Sequence, residues 1–310
     1  MRPQEKGFSL IELMIAMVLG LFIVGGVIVV FIGSSQSFNS NESLSRVQEN
    51  GRFALELIAR DLRNAGFKGG CFADADIQLD TTDPDYIADA FNVNHPVVGW
   101  VTDGSEFFAG DMTGYNSGTD IILIKHAADL SDAALNVDVA KVSKNFNVLG
   151  SEERGRILVL SDGALGCNLF QNTSTSGGVI SKGTAGANIN NQNVDFTQPF
   201  DKDEAEIYRL VSTLYYIGQG LSSSSALRSL SYATGSAVDQ ELVEDVTGMS
   251  IQYGIASGAG GALDYTSRAN TVSDWDDVRA VRINLTVTGD ENISHVFSST
   301  VALRNRLLAQ

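Results

Sequence analysis

The residue types that most often carry catalysis are few and scattered in this chain of 310 residues. Its three histidines are His95, His126 and His295, and none belongs to an HExxH or another recognised zinc-ligand spacing. A GxSxG nucleophile motif, a P-loop and a GxGxxG following a strand are all missing from the sequence. We therefore predict that the protein is not an enzyme and that it uses neither a cofactor nor a catalytic metal.

Acidic residues form four short clusters that could in principle bind a cation. They are Asp74 and Asp76; Asp80, Asp83 and Asp85; Asp201, Asp203 and Glu204; and Asp274, Asp276 and Asp277. The EF-hand spacing is absent, and on a chain of net charge −16 exposed carboxylates need no special role. The last cluster has a further interpretation, a cap for the strand that follows it. The same net charge repels phosphate backbones, so nucleic acid is not an expected partner.

One carboxylate lies in a segment where a charge is energetically unfavourable. Residues 8–33 form an apolar run in which Glu12 is the single charged residue. At about 1.5 Å per residue this run is long enough to cross a bilayer as a helix. A carboxylate inside such a span costs about 2.5–3.5 kcal/mol on insertion scales and usually marks a function. The alternative is a glutamate near a helix end whose carboxylate reaches the membrane interface.

The seven residues before the run are MRPQEKG, with positive charges at Arg2 and Lys6. These charges predict that the leader stays on the cytoplasmic side of the membrane. A secretory signal peptide has a shorter apolar stretch, of roughly 7–15 residues, and then a small-residue cleavage site. Neither feature fits here. A plain membrane anchor of an extracytoplasmic enzyme or receptor remains an alternative, but it leaves Glu12 unexplained.

The segment GFSLIELMIAMVLG at residues 7–20 resembles the class III signal of type IV prepilins and their pseudopilin relatives. The resemblance implies that a prepilin peptidase cleaves between Gly7 and Phe8 and methylates the new amino group of Phe8. Glu12 then takes the fifth position of the mature chain, where that family has its glutamate. We expect Glu12 to pair with the cationic N-terminus of a neighbouring subunit and to set its register during assembly, which offsets the burial of its charge.

Beyond Gly33 the chain becomes polar but keeps a helical pattern. Small or apolar residues recur in steps of three and four: Leu44, Val47, Gly51, Leu55, Ile58, Leu62 and Ala65. This spacing predicts an amphipathic helix that continues the apolar run and ends at Gly66. The resulting division of the chain is a leader at 1–7, a transmembrane or filament-core helix at 8–33, an amphipathic helix at 34–66 and an extracytoplasmic β-rich head at 67–310.

The head reads as antiparallel β-structure. Buried strands are predicted at 121–124, 157–160 and 207–217. Alternation at 279–287 places Val281, Ile283, Leu285 and Val287 on one face, and a hairpin leads to a strand at 295–303. Segments rich in Gly, Ser and Asn are interpreted as tip-exposed binding loops or simple connections: 171–193, 218–229 and 254–263. The predicted fold class is α+β, a type IV pilin-like long helix packed on an antiparallel β-rich head.

The chain has two cysteines, Cys71 and Cys167, far apart in sequence. This spacing does not suggest the metal or redox chemistry of a CxxC pair. In a head outside the cytoplasm a structural disulfide is the expected state. Two buried free thiols are the alternative, because the sequence alone does not give the distance between them.

Three further blocks carry a second resemblance. Residues 50–71, 274–287 and 301–306 look like those of PilW-type minor pilins, whereas about 75–270 holds no motif that we can match. The resemblance implies a minor pilin that primes type IV pilus assembly and sits at the pilus tip, supporting adhesion and twitching motility. It also implies as partners the prepilin peptidase, other minor pilins, the major pilin and a tip adhesin. The expected location is the inner membrane, with a periplasmic head, and then the pilus. A minor pseudopilin of type II secretion, of the GspJ type, is the alternative.

Overall fold

The computed structural model describes residues 9–101, 108, 110–129, 134–256, 262–266, 269–290 and 293–307. The first element is the helix α1, Leu10–Asn64, of 55 residues. Two short helices follow, α2 at Ala88–Phe91 and α3 at Arg304–Leu307. The other regular elements within these described residues are strands and short 3₁₀ turns.

The helix α1 is unbroken through four glycines at positions 20, 25, 26 and 33. At the standard rise it is about 82 Å long. It ends as the sequence predicts, because Gly66 adopts a φ of +79°, a left-handed conformation that favours glycine. The amide of Gly66 then donates to the carbonyl of Lys125, which ties the end of the helix to the head.

The described part of the head contains fifteen strands. They are β1 Asp76–Ile77, β2 Val97–Trp100, β3 Ile121–Asp129, β4 Ala134–Leu135, β5 Asn145–Leu149, β6 Ile157–Ser161, β7 Cys167–Gln171, β8 Val179–Ser181, β9 Glu206–Gly218, β10 Ala226–Ser231, β11 Val238–Glu244, β12 Val246–Ala256, β13 Leu263–Thr266, β14 Val278–Thr288 and β15 Ser294–Ala302. The predicted strands at 121–124, 157–160, 207–217, 279–287 and 295–303 are all confirmed, with bounds that shift by a few residues at most ends.

The largest sheet has eight strands and is organised by β9. One edge of β9 pairs with β3, and the other edge pairs first with β6 and then with β10. Next to β6 lies β7, and the short strand β1 pairs with β7 in parallel. Next to β10 lies β11. Residues 121–124 of β3 are buried on both faces of the sheet, and their sequence is accordingly a continuous apolar run rather than an alternating one.

The second sheet has four strands in the order β13-β12-β14-β15, all antiparallel. Its central strand β14 alternates as predicted, with Ile283, Leu285 and Val287 fully buried and the residues between them partly exposed. A third sheet of three strands, β4-β5-β8, has no ladder with the other two.

Three hydrophobic clusters hold these layers together. The first joins the inner face of α1 to the four-stranded sheet and to one face of β3 and β9. The second covers the opposite face of the eight-stranded sheet, beneath α2. The third lies between β6, β7 and the three-stranded sheet, where Phe146, Phe170 and Phe196 stack edge to face.

The predicted helix pattern and loops need corrections. Leu44 is 39% exposed, so the buried face of α1 starts at Ser43 and Val47 instead. The segment 171–193, interpreted as an exposed loop or a connection, contains β8 and several buried polar residues, among them Asn172 and Lys182. The segment 218–229 likewise contains the start of β10. Gly, Ser and Asn are frequent there because their side chains hydrogen-bond the irregular backbone.

Candidate assembly surface and helix–head junction

The first half of α1 has no packing partner among the described residues. The large apolar side chains between Leu10 and Ile32 are 49–78% exposed. Within the described part of the chain, α1 is the one helix that is long and apolar enough to cross a membrane. Exposing so much apolar surface to water is energetically unfavourable, so this segment requires lipid or other helices around it.

Glu12 lies on the first turn of this helix. Its Oε2 accepts a hydrogen bond from the backbone N–H of Ser9 at 3.2 Å, and the Ser9 hydroxyl oxygen accepts one from the N–H of Ile11 at 3.3 Å. Together they satisfy two backbone donors at the helix start, and a negative charge there suits the positive end of the helix dipole. Gly7 and Phe8, the predicted cleavage and methylation residues, lie outside the described residues.

The predicted disulfide between Cys71 and Cys167 is present, with a Cα–Cα distance of 6.2 Å. Cys167 begins β7, and Cys71 lies on the segment that leaves α1. The bond therefore connects the end of the long helix to the eight-stranded sheet. Because Cys71 lies shortly before β1, the bond also restrains this two-residue strand, which pairs with β7 at the edge of the sheet.

A buried polar cluster joins the rear of α1 to the head. The hydroxyl of Tyr215, on β9, donates to Asp61 Oδ2 at 2.6 Å. His126, on β3 and 4% exposed, points Nε2 toward Asp61 Oδ1 at 3.8 Å, and its Nδ1 lies 2.9 Å from the carbonyl of Ala127. Burial, and then the charge of Asp61, raise the pKa of the Tyr215 hydroxyl. The tyrosine is therefore a neutral donor that fixes one rotation of α1 on the sheets.

The last acidic cluster has a different role from the one predicted. The Asp274 side chain accepts from the N–H of Asp276 at 2.8 Å and so caps a 3₁₀ turn, Trp275–Asp277, rather than the strand. Asp276 in turn binds His95 at 3.0 Å and Arg306 at 2.6 Å. This arrangement ties the C-terminal helix α3 to the loop before β2. Among the described residues, no group of three or more His, Cys, Asp or Glu side chains could hold a metal ion.

Two lysines that the sequence analysis did not single out are fully buried. Lys125 is 0% exposed on β3, with Nζ donating to the carbonyl of Asp89, and Lys182 is 1% exposed after β8. Burial lowers the pKa of Lys125 to about 7 and that of Lys182 to about 8. For Lys125 a sequence signal for burial was available, because the residue directly follows the apolar run at 121–124. For Lys182 no sequence signal existed, since a polar loop predicts exposure.

A long, apolar N-terminal helix that continues into an antiparallel β-rich head defines the class: an α+β, pilin-like protein. Comparison with family models agrees at both ends of the chain. Residues 2–28 match the prokaryotic N-terminal methylation motif, and residues 214–295 match type IV pilus-assembly protein W. The two matches support a PilW-type, prepilin-like minor pilin, as the sequence resemblance predicts. Searches of curated proteins and of solved structures gave no significant match.

The matched residues refine the resemblance. The PilW match begins at residue 214, so it runs from the end of β9 through β14 and includes part of the middle region in which the sequence analysis found no motif. The four-stranded sheet that packs on α1 thus lies largely within the family region. PilW is a structural, non-enzymatic family.

Proposed function

We propose that this chain is a minor pilin that primes type IV pilus assembly and stays at the pilus tip with other minor pilins, supporting adhesion and twitching motility. The observation that carries the proposal is the unpartnered apolar half of α1, with Glu12 on its first turn. Such a surface is suited to a bundle of like helices, and the head behind it is a separate folded body.

The proposed contact places Glu12 against the methylated amine of Phe8 in a neighbouring subunit. Among the described residues, the donor to Glu12 is the N–H of Ser9, which occupies one carboxylate oxygen. The second oxygen can accept from a cation on another chain. In a low-dielectric helix bundle an unpaired charge is strongly unfavourable, so this pairing favours one axial register between neighbours.

The size of the head supports a terminal position. A body of roughly 240 residues has a radius of gyration near 18 Å, whereas packed helices lie only about 8–10 Å apart. Heads of this size on every subunit would crowd one another along a filament. A subunit at the tip, or a few subunits that start assembly, avoids that crowding.

The proposed topology follows from the division of the chain. Residues 1–7 are the leader, cytoplasmic until the peptidase removes it, and residues 8–33 cross the inner membrane and later enter the filament core. Residues 34–66 continue the helix into the head, which lies in the periplasm and then on the pilus. The Cys71–Cys167 disulfide supports this location, because disulfides persist in oxidising compartments.

The test is the mass of the N-terminal peptide from protein in sheared surface filaments. We expect a peptide that starts at Phe8 and carries one methyl group. Glu12→Ala should reduce incorporation into filaments at least tenfold while leaving cleavage intact. Glu42→Ala, an exposed glutamate on the same helix, is the matched control and should incorporate normally. Protein that retains Met1 and is found only in membranes would overturn the proposal.

A second measurement separates the pilus from type II secretion. Deletion of the gene should abolish surface pili and twitching while leaving enzyme secretion unchanged. The reverse pattern, normal pili with lost secretion, would assign the chain to a secretion pseudopilus.

A further inference from the structure

Lys182 is a buried amine whose hydrogen-bond partners are neutral oxygens. It lies directly after β8, and its Nζ donates to Gln78 Oε1 at 2.5 Å and to the carbonyl of Val194 at 2.6 Å. The Phe196 ring covers the amine from the side, 4.6 Å from Nζ to the ring centroid. These contacts hold the amine in place, but they do not replace all of the water that would solvate an exposed ammonium. This desolvation disfavours the ammonium form.

The consequence is an amine that is partly neutral under ordinary conditions. Burial, and then the charge of Lys144, lower the pKa of Lys182 to about 8, although Asp195 and Asp76 oppose this shift. A neutral, desolvated lysine amine carries a free electron pair and is a competent nucleophile.

The amide that faces this amine is held in one orientation. Gln78 is 0% exposed and follows β1. Its Nε2 lies 2.7 Å from Asp76 Oδ2, 2.8 Å from Asn168 Oδ1 and 2.9 Å from the carbonyl of Asp195. These contacts fix the amide oxygen toward Lys182 and the amide nitrogen toward a carboxylate. Nucleophile and carbonyl group are therefore neighbours without any rearrangement of the fold, a large advantage for an intramolecular reaction.

We propose that Lys182 and Gln78 become joined by an isopeptide bond. The electron pair of Nζ attacks the side-chain carbonyl carbon of Gln78, and the new C–N bond forms a tetrahedral intermediate. Asp76 accepts a proton released from Nζ and delivers it to Nε2. The bond from carbon to Nε2 then breaks and ammonia leaves. Amine and primary amide become a secondary amide and ammonia, with no change in oxidation state and no further reactant.

The surroundings of Asp76 suit this relay. The residue is exposed, so ammonia has a path to solvent, while the reacting pair itself stays buried. The bond would connect the residue after β1 to the residue after β8, and hence the eight-stranded sheet to the three-stranded one. Together with Cys71, which precedes β1, it would leave this short strand covalently held on both sides.

The test uses the full processed chain, purified from membranes in detergent and reduced before mass spectrometry. We expect an intact mass one ammonia below that of the processed sequence. After trypsin digestion we expect a branched peptide that contains both Gln78 and Lys182, with no cleavage after Lys182. Lys182→Arg should restore the full mass. Lys144→Arg is the matched control, because Lys144 also donates to the carbonyl of Val194, and it should keep the branched peptide.

A second variant tests the relay and does not depend on the folding of the first. Asp76→Asn should lower the branched fraction at least tenfold in freshly made protein. The proposal is overturned if wild-type protein yields linear peptides for Gln78 and Lys182, and still does so after long incubation at about pH 9, where the amine is mostly neutral. A loss of ammonia that persists in Lys182→Arg would also overturn it, since it would come from another amide.

Discussion

The hydroxyl of Tyr253 lies directly against Gly99, so that a methyl group added at position 99 would be 1.8 Å from the tyrosine oxygen. Gly99 belongs to β2 of the eight-stranded sheet, and Tyr253 belongs to β12 of the four-stranded sheet. The Tyr253 ring is 1% exposed and meets Trp275 edge-on at 5.0 Å between centroids. This pair is therefore a direct contact between the two main sheets, at a point where no side chain fits on β2.

Gly99→Ala should destabilise the head by about 1–3 kcal/mol, the usual cost of overpacking a filled core. Chemical denaturation of the full chain in detergent, followed by tryptophan fluorescence, measures the change. Gly110→Ala is the matched control, because no atom of the described residues lies within 4 Å of its added methyl group. Equal stability of the two variants would show that the sheets separate freely at this contact.

Tyr253→Phe should be neutral or mildly stabilising. Among the described residues the Tyr253 hydroxyl is buried without a hydrogen-bond partner, and its burial raises its pKa. Removing an unsatisfied polar group costs little, because no bond is lost. In the double variant with Gly99→Ala the loss should be smaller than for Gly99→Ala alone, since one of the clashing atoms is gone. Strictly additive effects would contradict the contact.

Tyr215→Phe should lower the free energy of unfolding by about 1.5–3 kcal/mol, the range for a hydrogen bond to a charged group. The change removes the donor to Asp61 and leaves a partly buried carboxylate at the contact between α1 and the sheet. Tyr265→Phe is the control, because Tyr265 is 38% exposed. Wild-type stability in Tyr215→Phe would mean that α1 is held by apolar packing alone.

Loss of the disulfide should cost about 4–5 kcal/mol in the chain-entropy model, because the bond closes a loop of 96 residues. The variant with both Cys71→Ser and Cys167→Ser should melt at a lower temperature than the oxidised wild type. Reductant should lower the melting temperature of the wild type toward that of the variant and leave the variant unchanged. A reductant-insensitive wild type would contradict a stabilising role.

Stability should rise with pH between about 7 and about 10, because the unfolded chain binds more protons than the folded one in that window. The cause is Lys125, whose pKa is lowered to about 7. Burial is the main reason for this shift; the charge of Asp89 opposes it, and the charge of Arg306 adds to it. Lys125→Met should flatten the slope of unfolding free energy against pH, whereas the exposed Lys141→Met should not. A slope that Lys125→Met leaves unchanged would assign the effect to other groups.

The sequence by itself determined the features that depend on local pattern. The apolar run with its single Glu12, the recurrence of Val47, Gly51, Ile58 and Leu62 and the stop at Gly66 predict one long helix, and the alternation at 279–287 predicts a half-buried strand. These signals are readable because helix and strand periodicities need only a few turns of sequence.

Only the tertiary structure determined the features that depend on contacts between residues far apart in sequence. It brought Lys182 to Gln78, 104 positions away, and Tyr215 to Asp61, 154 positions away. It also buried a Gly-, Ser- and Asn-rich segment that reads as a loop. Polar groups of that segment are satisfied there, because Lys182 donates to Gln78, Asn172 to the carbonyl of Glu152 and Asn191 to the carbonyl of Gly183. A polar residue looks exposed in sequence whenever its partner comes from another element, since burial depends on that partner and not on its own neighbours.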